Sequence, residues 1–91
     1  MELLNREVLK PATVRAVEQA GPRVVQVVDR WAGGWPKATQ RLEKQGRLLQ
    51  VAQKQVEREE PAMDYQRENP DLYLTISEAL AMYDLPLNPP A

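Results

Sequence analysis

Apolar and polar positions alternate with a helical rhythm along most of this chain, and proline and glycine cut that rhythm into pieces. The clearest stretch is 36–60, PKATQRLEKQGRLLQVAQKQVEREE. Placed at 100° per residue, Ala38, Leu42, Leu49, Ala52 and Val56 fall in one stripe. Pro36 suits a first helical position, where its missing N–H costs nothing. Pro61 pushes the residue before it out of the α region. The pattern predicts one long central helix over about 37–59, with Gly46 inside it. There glycine costs about 1 kcal/mol relative to alanine. Gln45 interrupts the stripe, either at a wet position or as a buried amide that needs a partner. Leu48 and Val51 lie off the stripe and mark a second contact surface.

The flanking pieces are shorter. Residues 1–10 carry Leu3, Leu4 and Val8, an amphipathic turn or two in which Leu4 and Val8 are i, i+4 neighbours. Pro11 opens PATVRAVEQA, with Ala12, Ala16 and Ala20 on one face and Val14 and Val17 at its edge. Gly21-Pro22 is a break. PRVVQVVDRWA reads two ways. The β-branched VVQVV suits a strand. Val24, Val28 and Trp31, and equally Val25, Val28 and Ala32, fit a helical face, and Gly33-Gly34 fits a left-handed helix end. A lone strand finds no partner elsewhere, so a helix is expected. PAMDYQREN reads as a short helical or irregular connection, and Asn69-Pro70-Asp71 as a turn. In YLTISEALAMYDLP, Thr75 and Glu78 form a capping box. Ile76, Ala79, Leu80 and Tyr83 are its buried face, and Pro86 its stop.

The expected fold is therefore all-α: a small bundle of four to five helices around one long central helix. Residues 1–86 are expected to form a single small helical domain, and 87–91 a disordered proline-rich tail.

Composition adds a reason for partners. The 91 residues include no phenylalanine, two tryptophans and three tyrosines. A chain of this length buries only about 60–65% of its unfolded surface, so either a modest core of Val, Leu and Ala or one completed by oligomerisation is expected, with self-association, as a homodimer or higher homo-oligomer, the favoured reading. Net charge is −1, but it is uneven. Residues 61–91 contain Arg67 as their one cation among five acids, whereas the first sixty residues are net basic. This predicts that 61–85 folds back along the central helix and sets some of Asp64, Glu68, Asp71 and Asp84 near its basic side. Cysteine is absent, as suits a reducing compartment. No apolar run approaches the ~18–20 residues that span a bilayer. A cytoplasmic protein without membrane attachment is expected.

The chemistry is narrowed mainly by residue types. There is no histidine, no cysteine and a single serine, Ser77, just inside a capped helix. Nucleophile–base pairs of the usual kind and zinc sites of His or Cys have no members here. WAGGWP lacks the pattern and the lysine of a phosphate-binding loop. Carboxylates remain, Glu59-Glu60 with Asp64 or Asp29 beside the tryptophans, and such clusters are usually solvated. The expectation is no enzyme, no cofactor and no metal. Trp31 and Trp35, flanking Ala32-Gly33-Gly34, are either a core plug or an interface hot spot. With Leu48 and Val51 they are the candidate interaction residues. Lys37, Arg41, Lys44, Arg47, Lys54 and Arg58 gather on one side of the central helix and can neutralise phosphates. The functional expectation is a small non-enzymatic protein–protein interaction module or accessory subunit. The alternative is a nucleic-acid-associated accessory protein using the basic face.

Two local resemblances bear on this. Trp31-Ala32-Gly33 between helical stretches resembles the Trp-X-Gly hairpin of the small substrates of the type VII secretion system. That likeness implies two long helices, from which Pro11 and Gly21-Pro22 depart, and a Tyr-x-x-x-Asp/Glu signature, where Tyr65 is followed by Asn69 instead. Leu74-Thr75-Ile76-Ser77-Glu78-Ala79-Leu80 is similar to the opening of the helix-turn-helix in excisionase-like and MerR-like DNA-binding domains. That likeness implies a second, recognition helix, which the few residues after Pro86 do not supply.

Overall fold

Three of the five α-helices among the described residues begin at a proline. In the computed structural model, which describes residues 1–90, α1 (Pro11–Ala20), α2 (Pro22–Gly34) and α3 (Pro36–Lys44) each place proline at the first helical position. α4 (Leu48–Glu68) and α5 (Ile76–Met82) follow, with short 3₁₀ turns at Arg6–Val8 and Pro70–Leu72. The all-α bundle expected from periodicity is the fold observed, and the valine-rich stretch is helix, not strand. β-branched residues sit in α2 because α2 packs against α1, α3 and α4. Val24, Val25, Val27, Val28, Trp31 and Ala32 are all buried. Both helical faces read from the sequence are therefore used.

The buried apolar residues form two clusters. The first joins α2 to Leu3, Leu9, Val14, Val17, Leu42, Leu48 and Ala52. The second is smaller: Ala62 and Met63 of α4 against Ala79 and Leu80 of α5, with Ile76, Leu85 and Leu87 at its edge. α4 is the long central helix that runs through both. In α1 the buried positions are the edge valines Val14 and Val17, while Ala12 and Ala20 are exposed. In the N-terminal segment Leu3 and Leu9 are buried and Leu4 is not. The expected Leu4–Val8 pairing is replaced by a 3₁₀ turn.

The central helix does not span 37–59. It is two helices, broken at Gln45, Gly46 and Arg47. Gly46 adopts φ +71°, the left-handed region that L side chains avoid. The Gly46 N–H donates to Glu43 O at 2.9 Å and the Arg47 N–H to Leu42 O at 3.0 Å. This is the double bond pattern that closes a helix at glycine. The break lets α3 and α4 both lie against α2, where a rod would touch it only once. Gln45, an exposed cap residue, accepts from Arg47. Gly46→Ala is accordingly expected to destabilise, by about 1 kcal/mol, although the space around it is open. A higher thermal midpoint in that variant would place Gly46 in a regular helix.

Nor does Pro61 end a helix. α4 continues through it to Glu68. The buried residues Leu48, Ala52, Gln55, Glu59, Ala62 and Met63 keep helical spacing across the proline, and burial of Ala62 and Met63 against α5 holds the second half in line. Gly33 and Gly34 also differ from expectation. Both are helical, and neither is left-handed.

α5 starts where the capping box places it. The Glu78 N–H donates to Thr75 Oγ1 and the Thr75 N–H to Glu78 Oε1, each at 3.1 Å. Thr75→Ala should cost about 1 kcal/mol, read as a lower thermal midpoint. Accepting the Thr75 backbone N–H, and secondarily the hydrogen bond with the Thr75 side chain, holds the Glu78 carboxyl below the ordinary glutamate range. A carboxyl depressed in the folded state stabilises above its unfolded pKa, and the contribution is lost as pH falls through the folded value. The difference in midpoint between the wild type and Glu78→Gln should thus be present at neutral pH and vanish in acid. A difference that persists unchanged at low pH would contradict the box.

Beyond α5 the chain stays on the bundle. Leu87 is half-buried against the second cluster and Pro89 is buried; both belong to the stretch 87–91 expected as a proline-rich tail. Ala91 lies outside the described residues. α5 packs against Ala62 and Met63, not along Leu48 and Val51. Asp64 pairs with Arg67 of its own helix. None of Asp64, Glu68, Asp71 and Asp84 makes an ion pair with Lys37, Arg41, Lys44, Arg47, Lys54 or Arg58 among the described residues. The expected acidic cover over the basic side is absent because the apolar seam steers α5 to the far half of α4.

Candidate functional site

Of the carboxylates singled out in the sequence, Glu59, Asp64 and Asp29 are committed to structural bonds, and Glu60 is exposed. Glu59 is buried on α4 and receives Arg30 from α2 in a bidentate pair, Nη1 to Oε1 at 3.2 Å and Nη2 to Oε2 at 2.6 Å. Gln55, one turn earlier, donates to Glu59 Oε2 at 2.8 Å. Arg30 Nε donates to the Leu87 carbonyl at 3.0 Å. A buried ion pair is tolerable when further hydrogen bonds satisfy its remaining atoms, and this one has them. The cleft beside it, lined by Arg23, Gln26, Val27, Val56, Met63 and Ile76, holds about 10 Å³. That is room for about one water, far below the roughly 300–1,000 Å³ of small-molecule sites. Wider hollows, up to about 420 Å³ beside the N-terminal turn and α3, lie on the surface. Among the described residues no group of three or more His, Cys, Asp or Glu can hold a metal ion. Among the described residues, too, no helix is long and apolar enough to cross a membrane.

The two tryptophans have separate fates. Trp31 is fully buried in the first cluster, and its indole Nε1 finds no hydrogen-bond partner. Trp35 caps the junction of α2 and α3, its N–H donating to Trp31 O at 2.7 Å and its carbonyl accepting from both the amide and the hydroxyl of Thr39. It keeps 38% of its surface exposed. Leu48 is buried in the first cluster and Val51 is half-buried against it. Of the four candidate interaction residues, then, Trp35 alone presents substantial surface.

The six basic residues are all exposed, but they occupy two helices and the turn between them. Lys37, Arg41 and Lys44 are on α3, Arg47 is at the break, and Lys54 and Arg58 are on α4. Arg41 and Lys44 lie in the last turn of α3, where cations complement the helix dipole. None of the six forms an ion pair among the described residues.

A surface not singled out in the sequence lies between residues 70 and 83. Leu72 is 54% exposed, Tyr73 88% and Met82 53%, with Tyr83 also open. Tyr73 is held at φ 50°, a conformation costly for a non-glycine residue. Tyr83 meets Tyr65 edge-on, with ring centroids 6.5 Å apart. The sequence signal was the aromatic and aliphatic content of DLYLTISEALAMY, hidden because a buried face alone was read from it. No protein-family model matches the chain, and neither a curated protein nor a solved structure matches it.

Proposed function

We propose that this chain is a small, non-enzymatic, cytoplasmic accessory protein that docks a protein surface, and first of all a second copy of itself, through residues 70–83. One observation carries the reading: Leu72, Tyr73, Met82 and Tyr83 are exposed on a single short segment of a chain poor in aromatics. Exposed aromatic and methionine side chains are the types enriched at interfaces. The strained backbone at Tyr73 supports the same reading, since strain tends to persist where it serves a site. Sedimentation equilibrium tests it. The wild type is expected to associate with rising concentration, and a Tyr73→Ser/Met82→Ser variant at least about tenfold more weakly, with unchanged circular dichroism. A wild type that stays monomeric to about 1 mM, or a variant that associates equally well, would sink the proposal.

The unpaired basic residues on α3 and α4 favour a second reading, a nucleic-acid-associated accessory protein. Fluorescence anisotropy with duplex DNA separates the two. Counterion release makes phosphate binding fall steeply with salt. Steep salt dependence, lost in Arg41→Glu/Lys54→Glu, would favour the second reading. No binding at low salt would remove it.

A further inference from the structure

Ten residues precede α1, and their polar hold on α1 and α2 is concentrated in three of them. The Leu3 N–H donates to Glu18 Oε2 on α1 at 2.9 Å. The Leu4 N–H donates to both carboxylate oxygens of Asp29 on α2, at 2.8 and 3.0 Å. The Asn5 N–H reaches Asp29 Oδ1 at 2.9 Å, and the Asn5 side-chain amide the Asp29 carbonyl at 3.1 Å. Leu3 is 1% exposed, inside the first cluster. At Gly33 a Cβ would lie 3.2 Å from Asn5 Nδ2, so this helical glycine leaves the place where Asn5 rests.

These are the parts of a peptide-binding site. Carboxylates take consecutive main-chain N–H groups, a hole takes one leucine, and a glycine seats the following asparagine. Main-chain bonds for affinity and a pocket for one side chain for specificity is the mode by which proteins take extended peptides. Nothing in these bonds requires the segment to come from the same chain. We infer that the Glu18–Asp29–Gly33 site also accepts residues 3–5 of a second copy, so that two chains exchange their N-terminal arms. The partner copy then supplies the Leu3 and Asn5 that complete each site.

The connection permits it. The intervening turn, Arg6–Val8, is three residues long; its own bonds are Val8 N–H to Asn5 O at 3.4 Å and Leu9 N–H to Arg6 O at 3.1 Å, and two contacts tie the connection to α3, Gln40 Nε2 to the Val8 carbonyl at 3.1 Å and the Lys10 N–H to Glu43 Oε2 at 2.8 Å. With those two contacts opened and Leu9 withdrawn from the first cluster, residues 6–10 reach about 17 Å, enough to pass an arm between copies apposed on their α1–α2 faces. The closed form has the advantage of a tethered ligand, an effective concentration in the millimolar range. Exchange is therefore a high-concentration state, of the kind by which identical elements swap between protomers. It is independent of the 70–83 surface.

Disulfide trapping tests this on a clean background, because the chain has no cysteine. The double variant Asn5→Cys/Gly33→Cys should close a disulfide within one chain, confirming where the arm lies. An equimolar mixture of the two single variants has no such option. Under mild oxidation at about 1 mM it should give a linked heterodimer, well above the yield from Asn5→Cys mixed with Lys37→Cys. Excess synthetic peptide of residues 1–9 should suppress the product, and the Leu3→Asp peptide should not. The same trap in a Tyr73→Ser/Met82→Ser background separates this inference from the proposed docking surface, since the heterodimer should still form. Closure within the chain but no heterodimer above the control overturns arm exchange. Failure to close within the chain overturns the site itself.

Discussion

Arg30→Ala is expected to remove about 3–5 kcal/mol of stability, out of the total of about 5–15 kcal/mol typical of a domain. The variant leaves Glu59, 5% exposed at its side chain, as a charge without its partner, and frees the Leu87 carbonyl. Glu59→Ala should be about as severe from the other side. The informative comparison is Arg30→Met/Glu59→Met, which removes both charges and fills the space. Such replacements are often neutral or stabilising, so the double variant should be more stable than either single one. Thermal or urea unfolding of the four proteins measures this. A single variant within about 1 kcal/mol of wild type would mean that the pair is solvated, contrary to the burial of Glu59 and the near-burial of Arg30.

Pro61→Ala should move stability the other way, raising it by about 1–3 kcal/mol. Proline inside a helix removes one hydrogen bond and presses its ring on the carbonyl four residues earlier, costing about 3 kcal/mol. Here that carbonyl belongs to Glu57. Part of the gain is offset because proline also restricts the unfolded chain, worth about 0.4–1 kcal/mol. Pro61 is exposed, so alanine opens no cavity. At about 4–8 °C per kcal/mol for a domain of this size, the midpoint should rise by several degrees at least. An unchanged or lower midpoint would mean that α4 is not continuous at Pro61 in solution.

Gly46 and Pro61 mark the limit of what the sequence disclosed. Propensity counts both against a helix, and says nothing of which one yields. The choice was made by packing: Gly46 turns the chain so that α3 and α4 can share α2, whereas Ala62 and Met63 keep α4 straight enough to meet α5. Prolines at first helical positions and the Thr75–Glu78 box were legible because their effects are local. The true buried stripe of α4 was not, because it includes Gln55 and Glu59. A polar residue counts as surface in any periodicity until its partner is known, and Arg30 lies 29 residues away. The candidate site was hidden for a related reason. Trp31 and Trp35 look alike in sequence, and only the packing decides that one is core and the other surface. Leu3 gave no sign that its amide, with its neighbours', would be taken by Glu18 and Asp29.

The unequal size of the two apolar clusters has a dynamic consequence. The second contains four buried residues, two of them alanine, and so little buried surface that α5 and the segment after it are expected to behave as a separate, weaker cooperative unit. Their amides should exchange with solvent through partial openings that leave α2 intact, while the α2 amides wait for global unfolding. Met82 rides on that loose unit and Tyr73 leads into it, so a protein that binds there would slow exchange in α5 long before it altered exchange in the valine-rich helix.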